Sequence, residues 1–181
     1  LSRKNSLFRQ MTTVETLGAA TVICTDKTGT LTEGRMSLTK FYLNNTLCDA
    51  KDKKIVTPLR AITEQAILSL ERTATDPMEI EMQRVAVELG IDLEKYFENF
   101  ELLEDSPFDA NTKMVHHVWK NKQSNAVTQH SVGAPESIID ACDLSDAERE
   151  HLLQVNEDLA SGGLRVIALA GKDLAGDSVV Q

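Results

Sequence analysis

Apolar positions along this chain recur in two distinct periods. Thr21-Val22-Ile23-Cys24-Thr25 is a β-branched run that stops at Asp26 and a turn rich in Gly and Thr. It predicts a buried strand whose C-terminal end presents a side chain. Residues 36–43 predict a second strand, Asn44-Asn45 a turn, and residues 49–54 a charged loop. Leu59, Ile62, Ala66 and Leu70 fall at helical spacing, which predicts an amphipathic helix over residues 59–72. Asp76-Pro77 then reads as an N-cap followed by proline at the first helical position, and Met78, Met82, Val85 and Leu89 mark one face of that helix before Gly90 ends it.

Farther on, residues 100–103 predict a strand, and residues 114–119 and 126–132 a hairpin around the polar turn Asn121-Lys122-Gln123-Ser124. Pro135 opens a short helix through Ala141. Ser145-Asp146-Ala147-Glu148 has the form of a capping box, and its helix carries Leu152, Val155 and Leu159 on one face before Gly162-Gly163. Residues 164–170 predict a final strand. Residues 1–35 thus hold one strand-plus-turn unit, a piece of an α/β domain, and the rest reads as a complete α+β domain.

Composition narrows the function. The 181 residues are 41% hydrophobic and 26% charged, ordinary for a globular chain long enough to bury a core. A formal net charge of −9 repels phosphate backbones and anionic lipid, so nucleic-acid and membrane-surface binding are disfavoured. A site for an anionic ligand in such a chain must gather positive charge locally. Cys24, Cys48 and Cys142 are odd in number and far apart, which argues against a disulfide framework or a zinc-cysteine site and suits a reducing compartment. No apolar stretch approaches the length of a bilayer span, and the start Leu1-Ser2-Arg3 lacks an initiator Met and a signal-peptide pattern, so the chain reads as a piece of a longer protein.

The most informative string is Asp26-Lys27-Thr28-Gly29-Thr30-Leu31-Thr32. An ionised carboxylate can attack phosphorus without a base, given an in-line phosphoryl group and cations on its equatorial oxygens. Lys27 supplies nearby charge, the Thr hydroxyls and turn amides can hold phosphate oxygens, and the Thr28 carbonyl can ligate Mg²⁺. All seven positions match the phosphorylation signature of P-type cation-transporting ATPases, which the string resembles. Val14-Glu15-Thr16-Leu17-Gly18 looks like the segment that leads into this strand in the same family. The resemblance implies that Asp26 becomes an aspartyl phosphate and that Thr28 helps bind phosphate and Mg²⁺.

Two other readings compete here. Soluble phosphohydrolases of the haloacid-dehalogenase type usually carry a second Asp two residues after the nucleophile, where this chain has Thr28, which cannot accept a proton from water. A Walker-type loop has the glycine spacing of Gly29 and Gly34, but Arg35-Met36 follows where Lys-Ser/Thr is needed.

Four further segments resemble the family's nucleotide site. Ser106-Pro107-Phe108-Asp109-Ala110-Asn111-Thr112-Lys113 implies Phe108 as the ring that stacks on adenine and Lys113 as a cation beside it. Asp76-Pro77-Met78-Glu79 implies that Glu79 accepts from the adenine amino group, although Asp at N-cap and Glu at N3 also suit a capping box. Gly133-Ala134-Pro135-Glu136 resembles the family's Lys-Gly-Ala-Pro-Glu and implies a close backbone approach at Gly133, with Val132 standing where Lys is usual. Gly163-Leu164-Arg165 implies that Arg165 approaches the phosphates. His116, His117 and His130 form no expected metal site: neighbours on a strand face opposite ways, so only one of the first two can meet His130. The acidic run over residues 143–150 reads as a helix start.

Together these imply the following organisation. Residues 1–35 begin a phosphorylation domain of the haloacid-dehalogenase-like α/β type, residues 36–175 form an α+β nucleotide-binding domain of antiparallel sheet and flanking helices, and residues 176–181 lead back to the first domain. Domain size and the adenine-site segments resemble the type II branch of the family. The resemblance implies a membrane-embedded parent with this part on its cytoplasmic face, ATP or ADP as ligand, Mg²⁺ as cofactor, and actuator and transmembrane domains as partners. ATP would phosphorylate Asp26 to drive ion transport, and the piece alone would bind nucleotide without turnover. A soluble phosphohydrolase and a nucleotide-binding module without phosphoryl transfer are the alternatives. The lone strand at 21–25 would have unpaired edges, through which two copies could pair.

Overall fold

The computed structural model describes residues 11–52 and 56–174. The tail expected at 176–181 lies outside the described residues. The chain divides into two compact units, Leu1–Arg35 and Met36–Gln181.

In the first unit, Met11–Gly18 is a helix (α1), where sequence reading expected only a lead-in segment. Residues 22–26 form no strand, and Val22 and Ile23 are 76% and 84% exposed. The buried strand expected at 21–25 is therefore not formed. A β-branched run becomes a strand only when a neighbouring ladder takes up its backbone groups and covers its side chains. Among the described residues of this unit there is no such neighbour. A π-turn over Lys27–Leu31 follows, with Gly29 at φ +77°.

The second unit opens with a hairpin, Lys40–Leu43 (β1) against Thr46–Asp49 (β2). Asn44 and Asn45, at φ +50° and +58°, make a turn whose handedness matches strand twist. The second strand is not expected from the sequence: Asp49 reads there as the start of a charged loop, and it instead pairs with Lys40. Helices Val56–Leu68 (α2), Pro77–Glu88 (α3) and Leu93–Glu98 (α4) come next. A four-stranded antiparallel sheet follows, in the order Phe100–Asp109 (β3), Met114–Asn121 (β4), Val127–Gly133 (β5) and Ala168–Leu174 (β6). Helices Pro135–Ala141 (α5) and Asp146–Ser161 (α6) connect β5 to β6. The Ser145–Glu148 capping box is present in both directions.

Several boundaries differ from the expected ones, among them β1, which begins at Lys40 rather than 36, and α2, which begins at Val56 rather than 59; three others have a local reason. Helix α2 ends at Leu68 rather than 72. The Leu68 carbonyl, free to accept the next helical N–H, instead accepts Trp119 Nε1–H at 2.6 Å and faces His117 Nδ1 at 3.3 Å. Strand β6 begins at Ala168 rather than 164, because its partner β5 ends at Gly133, which pairs with Ala168. Strand β3 runs on through Pro107 to Asp109, with register breaks between Leu102 and Glu104 and between Ser106 and Asp109. The second break accommodates a proline that cannot donate to a ladder. Helix α4, capped by Asp92, is too short to show a period.

Helices α2 and α3 cover one face of the sheet in two clusters. Ile67, Leu68, Ala86, Ile91, Phe97 and Trp119 form one; Ala66, Leu70, Met82 and Val132 form the other, with Met78, Val115, Ile167 and Leu169 packed against it. Each large apolar side chain so buried contributes roughly 1.5–3 kcal/mol. No described helix is long and apolar enough to cross a membrane.

Candidate functional site

Asp26 is extended (φ −71°, ψ 150°) and caps the π-turn. Its Oδ1 accepts the Lys27 N–H at 2.7 Å, which aims one carboxylate oxygen inward and leaves the other to solvent. Thr32 closes the turn by donating its N–H to the Lys27 carbonyl at 3.1 Å. Thr28 lies within the turn backbone. Asp26 and Lys27 are both exposed. The turn thus presents an exposed carboxylate beside Lys27, although not at the end of a paired strand.

The second group of site residues gathers at one end of the β3–β6 sheet. Asp109 pairs with Met114, Met114 with Gly133, and Gly133 with Ala168. Phe108, Lys113 and Gly133 therefore stand at neighbouring strand ends, and Arg165 lies three positions ahead of Ala168 in the approach to β6. Phe108 is 64% exposed, so its ring is not a core residue. Lys113 and Arg165 are also exposed. The next row inward, Val115–Val132–Leu169, belongs to the second cluster, against which Met78 in the first turn of α3 also packs.

Asp76 caps α3 by accepting the Met78 N–H at 2.8 Å. The Glu79 carboxylate faces the N–H groups of Thr75 at 3.4 Å and Glu71 at 3.5 Å. Both contacts are long, so that carboxylate keeps most of its accepting capacity.

Gly133 is the most tightly constrained glycine of the site. A Cβ there would sit 2.4 Å from the Lys113 carbonyl oxygen and 2.9 Å from Met114 Cα. The close approach that it allows is thus to the β4 backbone, where the Lys113 carbonyl also accepts the Ala134 N–H at 3.1 Å. Lys113 itself sits in the left-handed region at φ +55°. Nothing in Asn-Thr-Lys-Met signals that conformation. Val132 is 4% exposed and packed among Ala66, Leu70 and Met82, so the position where the family pattern has lysine is an apolar floor here.

His117 and His130 are register partners, both buried, with His116 on the opposite face. The expectation that one of the pair meets His130 holds. His117 Nε2 and His130 Nδ1 are buried without hydrogen-bond partners. Burial holds His130 below the ordinary histidine pKa. A separate cleft of about 390 Å³, lined by Tyr96, Asn121, Thr128, His130 and Lys172 among others, lies at the other end of the sheet.

Known proteins share this pattern. The family described as "P-type ATPase, cytoplasmic domain N" matches residues 38–180. Calcium-transporting ATPase 12, plasma membrane-type, from Arabidopsis thaliana is 28% identical over 97% of this chain and 20% of its own length. Calcium-transporting ATPase 1 from Bacillus cereus is 26% identical over 98% of this chain and 22% of its own. Calcium-transporting ATPase 2, endoplasmic reticulum-type, from Arabidopsis thaliana is 28% identical over 98% of this chain and 23% of its own. The chain thus spans about a fifth of the length of the curated relatives it matches.

Proposed function

Since this chain belongs to the P-type ATPase cytoplasmic domain N family, we propose that it is the nucleotide-binding and phosphate-accepting part of an ATP-driven cation pump. The observation that carries this reading is the convergence of Phe108, Lys113, Gly133 and the Arg165 segment on one sheet end. Adenine stacks on the exposed Phe108 ring, and Glu79 accepts from its amino group. Lys113 and Arg165 supply the cations that an acidic chain must gather locally for a triphosphate. Val132, buried in the core, supplies no charge where the family pattern has lysine, so phosphate binding rests on those two side chains.

Asp26 is the acceptor. Its carboxylate is exposed, and it attacks the γ-phosphorus of ATP while the bond to ADP breaks. The neighbouring position offers Thr28 rather than a second carboxylate, so no side chain there takes a proton from water, and the aspartyl phosphate persists. The Asp26 oxygen left free by Lys27 and the Thr28 carbonyl are hard oxygen donors suited to Mg²⁺, which supplies charge neutralisation when bound. In the intact pump this phosphorylation drives ion movement, on the cytoplasmic face of the membrane. The chain alone binds ATP or ADP without turnover.

Calorimetric titration with ATP tests the adenine assignment. Phe108→Ala is expected to weaken binding by about tenfold, the low-to-middle range for loss of one base–aromatic stack. Equal affinity of the two proteins would falsify the role given to Phe108.

A further inference from the structure

His117, on β4, is 2% exposed. Its Nδ1 lies 3.3 Å from the Leu68 carbonyl. A carbonyl oxygen only accepts, so Nδ1 carries the proton, and in the neutral ring Nε2 is a bare lone pair. That atom is buried and has no hydrogen-bond partner. Yet Asp105 Oδ1, from the register partner of His117 on β3, stands 3.2 Å from it. Glu71, in the loop after α2, brings a second carboxylate, and the three ligand atoms lie within 4.8 Å of one another. Lone pairs of one ring nitrogen and two carboxylates facing each other repel unless a cation sits among them.

We propose that Glu71, Asp105 and His117 form a binding site for one divalent transition-metal ion, of which Zn²⁺ is the probe. Two donors about 2.0 Å from a tetrahedral zinc stand about 3.3 Å apart, close to the observed His117–Asp105 separation. A proton on Nε2 would be the alternative cation, but the contact with Asp105 lacks hydrogen-bond geometry. The Nδ1–H bond to a backbone carbonyl is the kind of outer contact that fixes the tautomer and aims Nε2 at a metal. Imidazole with carboxylates selects zinc or manganese over Mg²⁺ and Ca²⁺, which prefer all-oxygen cages. The Asp105 side chain is half exposed and Glu71 is exposed, so an ion has a path in and water completes its coordination.

The loop that carries Glu71 is already fixed at its backbone. The Glu71 carbonyl accepts from Gln83, and the Arg72 guanidinium lies 5.1 Å over the Phe97 ring. A bound ion therefore ties the end of α2 to β3 and β4. The assignment does not depend on nucleotide binding.

The test uses the chain without a polyhistidine tag. Zn²⁺ is titrated calorimetrically, and Co²⁺ is titrated against the fluorescence of Trp119, the sole tryptophan, whose ring centroid is 6.3 Å from that of His117. One equivalent of Zn²⁺ should bind at micromolar concentration, and Co²⁺ should quench Trp119. Glu71→Gln and Asp105→Asn, both at exposed positions that leave the core intact, should each weaken Zn²⁺ binding by about tenfold or more. Mg²⁺ and Ca²⁺ should leave the signals unchanged. No saturable binding at millimolar Zn²⁺, or unaltered affinity in both variants, overturns the proposal. So does an equal response to Mg²⁺.

Discussion

Replacing Gly133 with alanine separates a space requirement from a conformational one. The residue is not in the left-handed region, so its backbone can accept a side chain. In an open site, Gly→Ala would then stabilise by roughly 0.4–1 kcal/mol, because it narrows the unfolded ensemble. Here the new Cβ would meet the Lys113 carbonyl oxygen at 2.4 Å, Met114 Cα at 2.9 Å and Met114 Cγ at 2.9 Å. Two of the three are backbone atoms that no rotamer change can move aside. Overpacking costs about 1–3 kcal/mol, and immovable neighbours put this case toward the upper end. The net expectation is a loss of about 1–2 kcal/mol after the entropic gain is subtracted. With a urea slope of about 1–3 kcal/mol/M, the unfolding midpoint should fall by about 0.5–1 M at unchanged slope. An unchanged or raised midpoint would refute the steric argument, since the two effects have opposite signs.

Two further predictions concern ionisable groups. Glu81 is held below its ordinary pKa, first by its hydrogen bonds from Arg84, at 2.7 and 2.8 Å, with a further bond from the Leu38 N–H at 2.9 Å. Because the folded value lies below the ordinary value of 4.5, its stabilisation is present above pH 4.5 and is lost as pH falls through the folded value. Glu81→Gln should cost about 1–2 kcal/mol at neutral pH, with Arg84 half exposed, and the gap to the parent should close in acid denaturation curves. A gap that persists in acid would exclude this pair as its source. Burial, with Glu64 nearby, raises the Tyr96 phenol to about 12. That contribution is complete below about pH 10 and declines as pH rises toward about 12. Ultraviolet titration should show Tyr96 ionising late, and Tyr96→Phe should remove the late step.

Much of this fold was legible because its signals are local. The Asp76-Pro77 start, the Ser145–Glu148 box, the Asn44-Asn45 turn and the β4–β5 hairpin each depend on a few adjacent residues, and each is present. What escaped depends on partners distant in sequence. Helix α2 stops where a tryptophan and a histidine some fifty positions away claim its last carbonyl. Strand β6 starts where β5 runs out, whatever its own apolar pattern. Residues 21–25 have strand composition but no ladder to join among the described residues of their unit. The site followed the same division. Its residues could be chosen from short strings, while the crowding at Gly133, the left-handed Lys113 and the carboxylates around His117 appear only when strands are set side by side.

Strands β3 and β6 are the outermost of the sheet among the described residues, and β3 is the longer. Its outer margin carries Glu101, Glu104 and Asp105 and is interrupted at Pro107. A foreign strand docking there would meet like charge and, at the proline, no donor. The protein is thereby guarded against edge-to-edge strand pairing at the margin closest to its exposed aromatic ring, which lets Phe108 remain open to solvent without becoming a seed for aggregates.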